Sequence, residues 1–167
     1  MIAIQFTNVK ECMAQLLLSN TFDSFLFLEG EIVTYATFSI DGRFHPEFFS
    51  SEDLPEHEEI PEYSSWKNIR EFCFSLIKGR RTPLRMKLIF SLSPNNIQRL
   101  LTQNDLSLTS QDVQGLYLNF RYDGEHLQCI TGVSLNLFTL DKSLEQVWDS
   151  MVQKFLDRHD IAFELIS

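Results

Sequence analysis

Glycine and proline are scarce, at 6 and 5 of 167 residues. That scarcity excludes collagen-like and linker-like architectures and points to a compact chain with few long flexible segments. Cysteine is rare too. Cys12, Cys73 and Cys129 stand far apart, each among apolar residues at helix or strand spacing. This spacing and the odd count suit buried free thiols rather than a disulfide or zinc framework. No apolar run approaches the roughly eighteen residues that a bilayer-crossing helix needs, so no membrane span is expected. The opening Met1-Ile2-Ala3-Ile4-Gln5-Phe6 lacks a basic leader and a small-residue cleavage site and reads as a strand, which makes a cytoplasmic location the expectation. Cations are in deficit, 14 Lys and Arg against 23 Asp and Glu for a net charge of -9. Such a balance argues against a nonspecific nucleic-acid coat, because phosphate binding neutralises backbone charge with Lys and Arg. It leaves room for a local basic patch.

Apolar residues are plentiful, at 44% with 15 phenylalanines, enough for residues 1–167 to form a single domain without disulfide, metal or cofactor. Ile2 to Phe6 reads as a strand, and Asn8 with Glu11 marks a helix start of the capping-box type. Val9, Cys12, Met13, Leu16 and Leu17 then fall on one helical face. Phe25 to Leu28 and Ile32 to Ile40 read as two strands joined by a tight turn at Glu29-Gly30, and Asp41-Gly42 as another turn. From Phe49 to Tyr63 the pattern lapses into an acidic, proline-containing loop. Ser65 caps a second helix with inward Trp66, Ile69, Phe72, Cys73, Leu76 and Ile77, and Gly79 stands where a helix-ending glycine belongs.

Leu84 to Leu92 alternates as a strand with one buried face, and Ser93-Pro94 enters a third helix. Leu116 to Tyr122 and Leu127 to Leu140 form a hairpin across Asp123-Gly124. The last helix starts near Ser143 with a stripe of Leu144, Val147, Trp148, Met151, Val152, Phe155 and Leu156, followed by a strand at Ile161, Phe163 and Leu165. The order βαββαβαββαβ predicts an α+β fold, an antiparallel sheet with helices on one face. It also suggests pseudo-repeats 1–82 and 83–167 packed about a twofold axis. Ile2-Ala3-Ile4-Gln5-Phe6 aligns with Met86-Lys87-Leu88-Ile89-Phe90, and Glu29-Gly30-Glu31 with Asp123-Gly124-Glu125. Chance likeness of two ordinary α+β units stands as the alternative.

Three stretches carry a resemblance: Phe22-Asp23-Ser24-Phe25-Leu26, the run from Tyr63 to Phe72, and Asp112-Val113-Gln114-Gly115-Leu116-Tyr117. They resemble a domain-of-unknown-function family of clostridial-type bacteria, a likeness that covers most of the chain and implies no activity. The duplicated strand-helix-hairpin order is also similar, in topology alone, to half-modules of DNA sliding clamps, and fold does not fix function.

Glycine-rich phosphate loops, nucleophile elbows, Cys-x-x-Cys and His-Glu-x-x-His motifs are missing from the sequence. Cys73, between Ile69 and Ile77, reads as an inert core thiol. The segment from Lys78 to Lys87 gathers Lys78, Arg80, Arg81, Arg85 and Lys87 in a strongly acidic chain. Guanidinium groups there could receive a phosphate or carboxylate, or simply complement a helix end. The first expectation is therefore a non-enzymatic binding or accessory protein, with an anionic, peptide or nucleic-acid partner at this segment. The competing expectation is a metal-assisted hydrolase using His45, His57 and the acidic loop 52–62, against which a merely solvated loop stands as the simpler reading.

Overall fold

The computed structural model describes residues 1–54, 59–77 and 81–166. Its elements run β1 (Ala3–Phe6), α1 (Val9–Leu17), β2 (Leu26–Val33), β3 (Thr37–Asp41), β4 (Ser64–Ser65), α2 (Trp66–Ile77), β5 (Arg85–Ser91), α3 (Pro94–Gln103), β6 (Val113–Tyr122), β7 (Leu127–Leu135), α4 (Ser143–Arg158) and β8 (Phe163–Leu165). A 3-10 turn at Pro46–Phe48 and the two-residue β4 are additions to the order read from the sequence. The fold is α+β. Among the described residues the strands make one antiparallel sheet in the order β3-β2-β5-β6-β7-β1-β8, with β4 also pairing β2.

Local chemistry sets the helix starts. Asn8 Oδ1 accepts from the Glu11 backbone amide at 3.1 Å, and Asn8 Nδ2 donates to the Glu11 carboxylate at 3.1 Å, a side-chain variant of the capping box. Ser93 caps α3 ahead of Pro94, where a residue without an N–H loses nothing. Each helix then buries one stripe in a single core. Cys12 and Leu16 come from α1, Trp66 and Cys73 from α2, Ile97 and Leu101 from α3, and Trp148 and Val152 from α4. The strands meet them with alternate residues such as Leu88, Phe90, Leu118 and Phe120, so the helices cover one face of the sheet and leave the other open.

Phenylalanine fills the middle of this layer. The Phe22 ring lies within 5.3 to 6.0 Å of the rings of Phe25, Phe90, Phe120 and Phe155. The internal void beside them is about 10 Å³, at the limit for one water molecule, so it holds no ligand larger than water.

Three local expectations are corrected. Glu29-Gly30 is not a turn: β2 runs through it, and the reversal comes at Thr34–Ala36, where the Thr34 amide donates to Ala36 O. A bulge lies between Phe27 and Glu29 in the pairing with β5. One extra residue flips the inward parity from odd, at Phe27, to even, at Gly30 and Ile32, and that break in the period of two mimics a strand end. A Cβ on Gly30 would stand 2.9 Å from the Phe27 ring and 3.2 Å from Lys87 O, so glycine is here for close approach. Asp41-Gly42 is not a turn either, because the Gly42 amide continues the ladder to Leu28 O. Phe72 points outward, at 68% exposure.

β7 stops at Leu135 rather than Leu140, because the chain turns onto the β6 entrance. Asn136 donates its amide to Asp112 O and its side-chain amide to Gln111 O, both at 2.8 Å. The expected stop at Gly79 lies outside the described residues. The strands of the two sequence halves are not laid out alike. β5, β6 and β7 are neighbours, whereas β1 is separated from β2 and β3 by those three strands.

Candidate functional site

The open face of the sheet is built by the strand residues that alternate with the core set. Across β2, β5, β6 and β7 the register places Glu31 opposite Lys87, Lys87 opposite Arg121, and Arg121 opposite Gln128. Arg85 lies two residues before Lys87 on β5, hence on the same face. Glu31, Arg85, Lys87, Arg121, Asp123 and His126 line a shallow depression of about 410 Å³. This is within the size range of small-ligand clefts, although the site is open.

The charges of this depression are not equally available. Asp123 is held by its own turn, accepting from the Glu125 amide at 2.9 Å and the His126 amide at 2.6 Å. These bonds, His126 first, hold its carboxyl below the usual range. Lys87 approaches Glu29 at 3.8 Å with both side chains largely in water, a pairing worth little. Arg85 and Arg121 make no ion pair among the described residues. Lys87 and Arg121 stand directly opposite each other across two strands, a like-charge contact that is unfavourable in itself and is partly offset by Glu31 on the other side of Lys87.

Of the basic residues singled out in the sequence, Arg85 and Lys87 are brought together here. Arg81 is exposed and does not line the depression, while Lys78 and Arg80 lie outside the described residues. Arg121 was missed because it lies far along the chain and joins the group only through the β5–β6 register. Beyond the cations the same face turns acidic, with Glu29 and Glu31 on β2 and Asp41 on β3. At its other end Arg43 stacks over Tyr63, 5.6 Å from the ring centroid. Tyr117 nearby has its hydroxyl pKa raised by burial and then by Tyr63 and Glu62.

Most of the residues that carry the family resemblance lie away from the cationic depression and hold the fold. Arg70 on α2 donates twice to the Asp23 carboxylate, at 2.9 and 3.0 Å. Ser65 donates to Asp23 O and Trp66 to Leu16 O. Gly115 leaves room for the Tyr117 ring, which a Cβ there would meet at 2.3 Å. The chain belongs to DUF5721, a family of unknown function. The DUF5721 profile matches residues 15–164, a span that takes in these contacts and the cationic face alike. No curated protein and no solved structure matches the chain.

The described histidines, His45, His126 and His159, do not converge. His45 Nδ1 contacts Glu47 at 3.0 Å on an exposed turn, His126 is on the cationic face, and His159 packs against the Phe155 ring at 4.6 Å. His57, with Glu56 and Glu58, lies outside the described residues. Among the described residues no three His, Cys, Asp or Glu side chains gather as metal ligands. No described helix is long and apolar enough to cross a membrane.

Proposed function

We propose that the chain is a non-enzymatic binding protein that receives a phosphate or carboxylate group of a protein partner on its open sheet face. The observation that carries this reading is the Lys87–Arg121 pair, two cations placed opposite each other with Arg85 alongside, in a chain of net charge -9. A planar guanidinium fork suits both candidate groups. The neighbouring Glu29, Glu31 and Asp41 favour a compact anion over a long polyanion, which would be drawn across them. The three free cysteines suit a reducing, cytoplasmic setting.

The test separates function from stability in one substitution. Arg121→Glu removes a cation from the site and replaces the like charge opposite Lys87 with an opposite one. Stability by urea unfolding should rise by about 0.2 to 1 kcal/mol, while capture of partners from lysate at low salt should collapse, in Arg121→Glu and in Arg85→Glu alike. Capture that survives nuclease treatment fits a protein partner, and capture lost to nuclease points to nucleic acid instead. An unchanged set of captured partners would remove the cationic face from consideration.

A further inference from the structure

The helical side of the molecule carries a second concave surface, remote from the cationic sheet face and independent of its role. Between α3 and α4 runs a groove of about 830 Å³. On α4 its wall is a continuous stripe at every third or fourth residue from Ser143 to Arg158, distinct from the buried stripe of Leu144, Trp148, Val152 and Leu156. Val147, Met151 and Phe155 stand in this second stripe at i, i+4 and i+8, packed against the core on one side and open on the other. Leu100 and Leu106 face them from α3 and the turn that follows it.

A straight row of half-buried apolar side chains along one helix is the complement of the row that another helix presents. The groove follows all 16 residues of α4, about 24 Å. Its charge is the reverse of the molecule's. Lys154 and Arg158 line it and no carboxylate does, in a chain whose acids outnumber its bases 23 to 14. Neither cation has an ion-pair partner among the described residues. The remaining rim, including Gln103, Asn104 and Gln146, is neutral and able to hydrogen bond.

We propose that the α3–α4 groove docks an acidic amphipathic helix of another protein, its apolar row against Val147, Met151 and Phe155 and its carboxylates against Lys154 and Arg158. The experiment pans a displayed library of random 16-residue peptides against the intact chain and measures the enriched peptides by fluorescence anisotropy. The expected peptides are acidic with apolar residues at helical spacing. They should bind the Lys154→Glu, Arg158→Glu double variant at least tenfold more weakly and regain affinity for it when their acidic residues are changed to Lys.

Both substituted positions are exposed, so circular dichroism should show an unchanged fold. The Arg85→Glu, Arg121→Glu variant should bind the same peptides with unaltered affinity, which keeps this site separate from the sheet face. Enrichment of peptides without acidic bias, equal binding by the groove variant, or failure to enrich any peptide would overturn the proposal. A dimer of the chain that the groove variant dissociates would overturn it too, by assigning the groove to a second copy.

Discussion

Trp148 shows how much one side chain carries here. It is 1% exposed and donates from Nε1 to Tyr117 O at 3.2 Å, so it joins α4 to the sheet by packing and by a hydrogen bond together. Trp148→Ala should cost about 3 to 5 kcal/mol in urea unfolding. Phe72→Ser, at an exposed position on α2, should cost within about 0.5 kcal/mol. A reversed order would mean that α2 and α4 are turned about their axes. The cysteines behave as core residues at the same scale. Burial pushes the Cys12 and Cys73 thiols up to about 12 and Cys129 higher still, and only the thiolate is nucleophilic. A thiol-reactive chromogen at pH 8 should find almost no reactive thiol in the native chain and three in denaturant.

At the scale of elements, the β6–β7 hairpin illustrates a turn fixed by its own residues. Gly124 adopts φ 99°, a conformation open to glycine, and Asp123 collects the two amides that follow. Because those bonds depress the Asp123 pKa in the folded state, their stabilisation is present above the unfolded carboxyl value of about 3.9 and is lost as pH falls through the folded one. Asp123→Asn keeps an acceptor oxygen but cannot titrate, so its melting temperature should fall less steeply than the parent's between about pH 4.5 and 2.5. Parallel slopes would show that the turn does not contribute to acid sensitivity. The β2 bulge is the opposite kind of element. Nothing adjacent in sequence demands it, and it exists because Phe27 and Ile32 must both reach the core from a strand whose parity would otherwise separate them.

At the scale of the molecule, the single core decides how the chain unfolds. Trp66 and Trp148 come from different sequence halves yet belong to one buried cluster, and β1 joins the sheet at the far side of β7, between it and β8. Neither half therefore encloses a core alone. Single-tryptophan variants, Trp66→Phe and Trp148→Phe, should each give a fluorescence midpoint coincident with the loss of circular dichroism in the same variant. Separated transitions would mean that the halves fold as autonomous repeats. The whole-molecule layout also sets two distinct surfaces on opposite sides, a cationic depression on bare strands and a groove between helices with an apolar row and a polar rim.

The sequence by itself determined the α+β class, the four α-helices of the described residues, the Asp123-Gly124 hairpin and the burial of Trp148. Each rests on periodicity or capping within a few residues of chain, and local sterics and hydrogen bonding act over that distance. Arg85 and Lys87 were legible as a cationic cluster for the same reason. Only the tertiary structure decided that Arg121 joins them, that Gly30 sits inside a strand, and that β1 lies far from β2. Strand neighbours and bulges are set by which distant side chains pack together, and an alternating pattern identifies the face a residue occupies without naming the strand beside it.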